Sequence, residues 1–442
     1  LLFIPLLLVS QEKAVLPPDY DDPARRFEEF EKQRAFPFER IPDGARVRAF
    51  RQMEEMVSSK NQKQWLLAQQ PEWKPIGPFD VGGRVKSIVV HPTKKGWVYA
   101  AGAAGGIWRS TNNGDWWEPI FDFENGIAFG AIAIDPNDPS VIYAGTGESV
   151  LGGGTTYLGN GIYKSTDEGN TWKLLGLTEV GAFSKVYVHP TSSNIVVAGG
   201  TIRQPGFYKS TDGGKTWERL FDRNVTDVSI NPQNADEYLI GVNAEGVYFT
   251  TDGGISWLPR NTGFEQGTDR VSVQFAPSDP NIAYALLDIA SAGYIYRTTN
   301  KGQTWTLVFR GDANFFRGQG FYDNFIQVHP TNPNIFLAGG IDIFRTSDGK
   351  NWNNVTNGYS GGNVHVDQHC AGFDPKNPNI VFIGNDGGVY MSSDAGINWT
   401  RKNNNLQVTQ FYGFDIDNTQ PNVNFGGTQD NGTLASDNDS DW

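Results

Sequence analysis

Apolar and polar positions along most of this chain follow a pattern that returns about every 40 to 55 residues. Each repeat begins with an apolar run that ends in proline, as in Val90-His91-Pro92 and Val188-His189-Pro190. A second apolar run ends in small residues such as Ala-Gly, and a third short run leads into a polar box. Short alternating runs bounded by Gly, Pro, Asn and Asp are typical of β-strands. The pattern therefore predicts four short strands in each repeat.

The polar box is clearest in Ser165-Thr-Asp167-Glu-Gly169-Asn-Thr171-Trp172. An Asp side chain in this position accepts hydrogen bonds from nearby backbone N–H groups. The Gly two residues later permits backbone angles that other residues avoid. The Trp begins the next strand and has a large apolar surface to bury between sheets. The box therefore predicts a rigid turn between the third and fourth strands, with a structural role.

Seven copies of the box occur between about residues 110 and 400. Five of them keep Asp and Trp at the corresponding positions, namely Asp167 and Trp172, Asp212 and Trp217, Asp252 and Trp257, Asp348 and Trp352, and Asp394 and Trp399. The other two have Asn112 and Asn300 in place of Asp. A period of this length with four strands is the signature of a β-propeller. We predict an all-β propeller with seven blades over residues 71–408 and the start of an eighth blade over residues 409–442.

The first 70 residues differ from the repeats. Residues 1–10 form an apolar run that is too short to span a bilayer and is typical of the end of a secretory signal peptide. Residues 11–70 are charged and rich in helix-forming residues, with candidate helices over residues 25–34 and 45–70. The sequence therefore predicts an exported protein with a short helical arm before the propeller.

Composition narrows the classes of partner. The chain has 442 residues, including 13 Trp, 28 Phe and 16 Tyr, which is enough for a large core. Its net charge of −13 argues against nucleic acid and anionic membranes as partners. A single cysteine, Cys370, excludes an internal disulfide and a zinc site built from several cysteines. Polysaccharide, peptide and cationic partners remain open.

The boxes resemble the Asp-box, or bacterial neuraminidase repeat (BNR), of sialidases, xyloglucanases and sortilin-type propellers. Longer phrases are similar to those of large secreted bacterial propeller proteins related to the sortilin N-terminal domain. These phrases are His365-Val-Asp367-Gln-His369, Gly384-Asn385-Asp386-Gly-Gly388, Gln410-Phe-Tyr412 and Gly427-Thr-Gln429-Asp430-Asn431. The resemblance implies an extracellular or cell-surface, bacterial, multi-blade protein of a group loosely called glycosyl hydrolases. It implies a fold, while function has to be argued from a site.

Propeller topology predicts where such a site lies. The boxes and the proline turns fall on one face, which we call the lower face, while loops entering the inner strands fall on the opposite, upper face. Loops on a rigid scaffold commonly carry binding groups. The polar residues predicted to line the upper mouth of the central channel, where they would bind a polysaccharide or a peptide, are Arg84, Glu148, Asp323, Asn324, His365, Asp367, His369, Asn385, Asp386, Gln410, Tyr412, Gln429 and Asp430.

Two metal sites are weak candidates. His365, Asp367 and His369 alternate, so on a strand their side chains would share one face and could bind a divalent metal. A ligand-contacting polar cluster is the favoured alternative. Asp437, Asp439 and Asp441 alternate as in calcium loops, although a solvated acidic loop is the favoured interpretation. No resident cofactor is predicted.

Hydrolysis of a glycosidic bond is the alternative function, because Glu148, Asp323, Asp367 and Asp386 could supply the two carboxyl groups that it requires. Xyloglucanases resembled by this chain carry a catalytic Asp in a Thr-Asp-Val-Gly-Gly stretch after the second strand of the first blade. The matching residues here are Gly102-Ala103-Ala104-Gly105-Gly106, with alanine in place of the carboxylate. A sialidase-type arginine triad cannot be assembled either. A non-catalytic, sortilin-like scaffold is the third possibility.

Overall fold

The computed structural model describes residues 75–442, except residues 123, 125, 127, 151–156 and 438–441, together with single residues between 32 and 55. The chain divides into two compact units, Leu1–Asp43 with Gly153–Thr155, and Gly44–Gly152 with Thr156–Trp442. The predicted signal-peptide remnant lies outside the described residues. Several described residues of the predicted arm are helical. Among them, Lys32 and Ala35 belong to the smaller unit, and Ala45, Arg48 and Glu55 belong to the larger unit.

The larger unit is built from antiparallel sheets whose strands are neighbours in sequence order. The first four sheets contain β1 (Val85–Val90), β2 (Val98–Gly102), β3 (Ile107–Ser110) and β4 (Glu118–Pro119); β5 (Phe129–Ile134), β6 (Ile142–Thr146), β7 (Ile162–Ser165) and β8 (Lys173–Gly176); β9 (Ala182–His189), β10 (Ser192–Ile202), β11 (Gly206–Ser210) and β12 (Glu218–Phe221); and β13 (Val225–Ile230), β14 (Tyr238–Val242), β15 (Gly246–Thr250) and β16 (Leu258–Pro259).

Three further four-stranded sheets and one three-stranded sheet follow along the chain. They contain β17 (Thr268–Ala276), β18 (Asp279–Ile289), β19 (Ala292–Thr298) and β20 (Thr306–Arg310); β21 (Phe325–Val328), β22 (Phe336–Gly339), β23 (Ile343–Thr346) and β24 (Trp352–Asn354); β25 (Gln368–Phe373), β26 (Val381–Asn385), β27 (Gly388–Ser392) and β28 (Thr400–Arg401); and β29 (Phe411–Ile416), β30 (Asn424–Thr428) and β31 (Thr433–Ser436). A short 3-10 helix spans Gly358–Ser360. The predicted all-β propeller is confirmed.

Seven four-stranded sheets form a closed ring. Val85 and Ile88 of the first blade pack in one buried cluster with Phe382 and Val389 of the seventh. The indole Nε1 of Trp117 donates a hydrogen bond of 2.7 Å to the carbonyl oxygen of Lys402. The three-stranded eighth sheet therefore follows a complete ring, and Phe414, Ile416 and Phe425 on its strands remain 44–48% exposed.

The Asp-box forms the turn that its residues predict. In the second blade, the Ser165 hydroxyl donates to the Asp167 carboxylate (2.8 Å), which also accepts the backbone N–H of Thr171 (2.8 Å). Gly169 has a φ of 91°, in the left-handed region that favours glycine. Trp172 donates its indole N–H to the carbonyl oxygen of Ile120 in the preceding blade (2.8 Å). This box therefore stabilises its own turn and links two blades.

Replacement of the box carboxylate tests this role. Asp394 accepts the backbone N–H groups of Ile397 and Asn398, so we expect Asp394→Ala to lower the free energy of unfolding by about 1 kcal/mol, as for loss of a capping side chain. Asp394→Asn should cost much less, because Asn112 and Asn300 accept the equivalent backbone N–H at 3.0 Å. Urea unfolding of both variants measures the difference. Equal losses would show that the negative charge, and not the hydrogen-bonding oxygen, is what stabilises the turn.

The inner strands carry an extra residue near the upper face. The pairing of inner with second strands skips one residue at Lys86, Gly130, Ser184, Thr226 and His369. A similar shift occurs in β17 between Thr268 and Val271, next to Arg270. Such β-bulges re-aim a side chain. All six of these positions line the channel cavity, which has a volume of about 410 Å³. The bulges thus bring polar groups into the channel from otherwise apolar strands.

In the part of the chain that the structure describes, no helix has the length and apolar character needed to cross a bilayer.

Candidate functional site

Arg84, at the start of the first inner strand, is the centre of the upper mouth. Its guanidinium lies 2.8 Å from Glu148, 3.2 Å from Asp386 and 3.7 Å from Asp430. Arg84, Glu148 and Asp386 are each no more than 2% exposed. The guanidinium carbon also lies 4.7 Å from the centre of the Tyr322 ring. Residues from the first, second, sixth and seventh blades and from the eighth sheet therefore meet at one cation.

Below Arg84, a hydrogen-bonded chain runs from Lys86 through His369 and Asp386 to Tyr322. The Lys86 ammonium donates to His369 Nδ1 (3.0 Å), so the ring proton lies on Nε2, which donates to Asp386 (2.6 Å). The Tyr322 hydroxyl donates to the other oxygen of Asp386 (2.5 Å). Burial and the neighbouring Lys86 lower the pKa of His369 to about 3, and burial lowers that of Lys86 to about 8. His369 is therefore neutral at physiological pH.

Three carboxyl groups around this core have raised pKa values. Burial, together with the charges of Asp386 and Asp430, raises the pKa of Asp367 to about 7. Burial and the charge of Asp386 raise that of Asp430 to about 6. Asp323 is fully buried, and its pKa is raised well above the ordinary value by burial and by Asp367. Asp386 differs, because although burial opposes ionisation, Arg84 and His369 hold its pKa well below the ordinary value. The mouth thus places an ionised carboxylate, Asp386, among three carboxyl groups whose pKa values are raised.

The eighth sheet completes the rim of the mouth through the turn between β30 and β31. His365 donates from Nε2 to the carbonyl oxygen of Asp430 (2.8 Å), and Asn431 donates to the carbonyl oxygen of Asp386 (3.0 Å). The backbone N–H of Gln429 bonds to the carbonyl oxygen of Gln410 (2.8 Å). The Asp430 side chain is 42% exposed, in contrast to Glu148 and Asp386. Asp430 is therefore the accessible carboxylate of the Arg84 cluster.

The other polar residues predicted at the mouth differ in their burial. Asn385 is buried and donates to the carbonyl oxygen of His365 (3.1 Å) and to Gln368 (3.2 Å), so it supports the loop before β25. Asn324 is 1% exposed and lines the channel cavity below the mouth. Tyr412 is 58% exposed on the first strand of the eighth sheet. These placements separate supporting residues from those that a ligand could reach.

Comparison with known proteins identifies the relatives of this propeller. The sequence profile of Sortilin-Vps10 (sortilin, neurotensin receptor 3) matches residues 105–240 and 205–337, which together make up more than half of the chain. The chain belongs to the Sortilin-Vps10 family.

Curated relatives of this Sortilin-Vps10 chain include xyloglucanases. It is 24% identical over 368 residues to an oligoxyloglucan-reducing end-specific xyloglucanase of Emericella nidulans, covering 72% of this chain and 40% of that protein. It is 26% identical over 363 residues to a xyloglucanase of Hypocrea jecorina, covering 74% of this chain and 39% of that protein. The chain thus spans about two fifths of the length of these relatives.

Solved structures share the architecture of the Sortilin-Vps10 chain. The GH74 enzyme of Niastella koreensis aligns with a TM-score of 0.63 and 21% identity, covering 82% of this chain and 60% of that one. The GH74 xyloglucanase of Xanthomonas campestris aligns with a TM-score of 0.62 and 17% identity, covering 84% and 68%. At these identities the likeness shows the fold.

The predicted arrangement of the metal candidates in the Sortilin-Vps10 chain is wrong. Strand β25 begins at Gln368, and Asp367 has a φ of 65°, so residues 365–369 are not one continuous strand. His365 reaches the Asp430 carbonyl oxygen, while His369 turns into the channel toward Asp386. Among the described residues, no group of three or more His, Cys, Asp or Glu has a metal-binding arrangement. The proposed calcium loop ends in residues 438–441, outside the described part.

The sequence pattern did not predict three residues that lie at the mouth, namely Lys86, Arg270 and Gln319. Lys86 and Arg270 both reach the carbonyl oxygen of Tyr322, at 3.5 and 2.9 Å. Gln319 donates to Asp367 (3.3 Å). A cation within an apolar inner strand, as in Val85-Lys86-Ser87, was the available signal for Lys86. The role of Gln319 depends on the long connection between β20 and β21, whose path the repeat pattern does not predict.

Proposed function

We propose that this propeller binds a polysaccharide at its upper mouth and hydrolyses it with Asp367 and Asp430. The observation that supports this most strongly is the position of Asp430. This accessible carboxylate lies 3.7 Å from the Arg84 guanidinium, and its charge helps to raise the pKa of the buried Asp367 to about 7. Xyloglucanases are among the relatives and share the fold. We also propose, from the resemblance to these relatives, that the protein is exported.

Asp367 is suited to act as the general acid. A glycosidic bond breaks when one carboxyl group protonates the leaving oxygen and a second carboxylate acts as nucleophile or activates water. The raised pKa of Asp367 keeps it protonated up to about pH 7, while Asp430 ionises near pH 6. Asp367 would donate its proton to the glycosidic oxygen as the bond to C1 breaks, and Asp430 would act on C1, directly or through water.

The other predicted carboxylates have different functions in this proposal. Glu148 and Asp386 are buried against Arg84 and support the mouth electrostatically. Asp323 is fully buried, and burial and the charge of Asp367 raise its pKa, so it is not accessible to a substrate. The catalytic pair thus combines one carboxyl group from the loop before β25 with one from the eighth sheet.

Binding without cleavage is the second candidate function. Ala103 stands where the resembled xyloglucanases carry a carboxylate, and its backbone N–H donates to the carbonyl oxygen of Arg84 (3.0 Å). The chain therefore places a methyl group beside the mouth at that position. Polysaccharide affinity without release of reducing ends would support this function.

Turnover of xyloglucan as a function of pH tests the proposed mechanism. We expect kcat/KM to be highest between about pH 6 and 7, because Asp430 must be ionised and Asp367 must be protonated. Reducing-end release across pH 4 to 9, with other glucans and a peptide library for comparison, is the measurement. Asp430→Asn should abolish turnover while leaving affinity within about tenfold. Glu179→Gln, an exposed carboxylate outside the mouth, is the control. A rate that is flat across this range, or cleavage retained in Asp430→Asn, would contradict the mechanism.

A further inference from the structure

A second pocket, of about 310 Å³, lies beside the mouth and contains an exposed aromatic ring. Tyr359, in the 3-10 helix, is 59% exposed and lines it. The polar groups of Asp312, Asn314 and Arg317 line the same pocket. A concavity that combines an aromatic ring with a few polar groups is the usual lining of a ligand pocket, so the position of Tyr359 in this pocket, and not its exposure alone, points to a ligand.

The loop that carries Tyr359 is held rigidly. One oxygen of Asp342 accepts the Thr356 hydroxyl (2.8 Å) and the backbone N–H of Gly358 (2.7 Å), and the other accepts the side chain of Asn354 (2.9 Å). The Arg317 guanidinium lies 4.5 Å from the centre of the Tyr359 ring. The ring is therefore preorganised, with a cation on one side and more than half of its surface free.

The wall of the pocket adjoins the mouth. The connection between β20 and β21 lines the pocket at Arg317 and contacts Asp367 through Gln319 (3.3 Å). Ile341, on the pocket wall, accepts the backbone N–H of Asp367 (3.0 Å) through its carbonyl oxygen. The Tyr359 phenol also lies within the electrostatic influence of Asp367 and Asp430. A ligand long enough to leave the mouth on this side meets the Tyr359 ring.

We infer that this pocket, the Tyr359 subsite, binds a further sugar ring of the polysaccharide whose cleavage site lies at Asp367 and Asp430. A pyranose with equatorial hydroxyls has an apolar C–H face that packs on an aromatic ring. Its hydroxyl groups match the carboxylate, amide and guanidinium groups around Tyr359. The inference rests on the proposed function and adds that the substrate continues past the mouth on the side of the sixth blade.

Calorimetric titration with a short and a long xyloglucan oligosaccharide tests the subsite, using the full chain. We expect Tyr359→Ala to weaken binding of the long oligosaccharide about tenfold and to leave the short one unchanged. Tyr359→Phe should bind both normally, since it keeps the ring. Trp116→Ala, which removes an equally exposed aromatic residue next to a box on the lower face, should change neither affinity.

The outcomes separate this inference from the proposed function. If Tyr359→Ala weakens both oligosaccharides equally, or neither, while Asp430→Asn still abolishes turnover, the subsite is wrong and the proposed function stands. If the wild-type chain binds neither oligosaccharide, both are wrong. Thermal unfolding of each variant verifies that the fold is intact.

Discussion

Replacing Asp367 by Asn is expected to abolish polysaccharide cleavage and, above pH 7, to stabilise the fold. Asp367 is 7% exposed, and its pKa is raised from 3.8 to about 7 by burial and by Asp386 and Asp430. A carboxyl group with a raised pKa binds its proton more tightly in the folded state. Its contribution to stability is therefore present below the unfolded pKa and is lost as the pH rises toward 7.

The size of this effect follows from the shift. About three pKa units correspond to roughly 4 kcal/mol, as an upper bound, of folded-state stability lost by ionisation of Asp367. Asn cannot ionise and can still accept the hydrogen bond of Gln319. We expect the variant to exceed the wild type in free energy of unfolding by a few kcal/mol at pH 8.5, and to match it closely at pH 4. Urea unfolding at the two pH values measures this difference.

Glu179→Gln, which removes an exposed carboxylate outside the mouth, should be indistinguishable from the wild type at both pH values. An Asp367→Asn variant with equal stability gains at pH 4 and 8.5 would show that relief of ionisation is not the cause. Loss of stability at pH 8.5 would show that the Asp367 charge is needed for folding, and would contradict its assignment as a strained catalytic acid. If Asp367 is retained for function at a cost in stability, the Asp367→Asn variant should be more stable than the wild type and should lose turnover.

Replacing Arg84 by Met is expected to lower the free energy of unfolding by about 3–5 kcal/mol at neutral pH. The substitution removes the cation within 3.2 Å of both Glu148 and Asp386, which are almost fully buried. Removing one partner of a buried ion pair leaves the other charge without compensation, and that charge cannot be hydrated without opening the mouth. Chemical unfolding at pH 7 measures the loss.

Arg84→Lys keeps the charge but not the planar fork that contacts two carboxylates at once, so an intermediate loss is expected. Adding Glu148→Gln and Asp386→Asn to Arg84→Met should recover much of the stability, since no buried charge is then left unpaired. If Arg84→Met alone unfolds like the wild type, the carboxylates of the mouth are not held by Arg84. Arg223→Met, which breaks the exposed ion pairs with Asp222 and Glu245, is the control, with an expected loss below about 1 kcal/mol.

The ring could be predicted from the sequence because its determinants are local and repeated. Asp167, Gly169 and Trp172 lie within one turn, and the same local hydrogen bonds recur at Ser210 and Asp212 and at Ser392 and Asp394. The side on which polar loops gather could also be predicted, since strand order alone assigns each turn to a face. Arg84, Glu148, His369 and Asp386 accordingly converge.

The parts that could not be predicted depend on contacts between distant segments. The left-handed backbone at Asp367 breaks the alternation that suggested a metal site. The contact between Asp430 and Arg84 requires the eighth sheet to lie against a ring that is already closed. The Tyr359 pocket depends on Arg317, which comes from another loop and lies over the Tyr359 ring. Such contacts have no sequence period, because each occurs once.

The inner-strand bulges divide the molecule into a part that must repeat and a part that is free to vary. Lys86, Gly130, Ser184, Thr226 and His369 enter the channel at bulges, whereas the boxes and their Trp residues lie on the opposite face. A residue at such a bulge is not paired within its sheet, so substitution there leaves the ladder of the blade largely unchanged. Gly130 is the exception, because a Cβ there would collide with the carbonyl oxygen of Phe183. Exchanging the side chains of Lys86, Ser184, Thr226 and His369 in combination therefore offers a route to new ligand preferences on an unaltered ring.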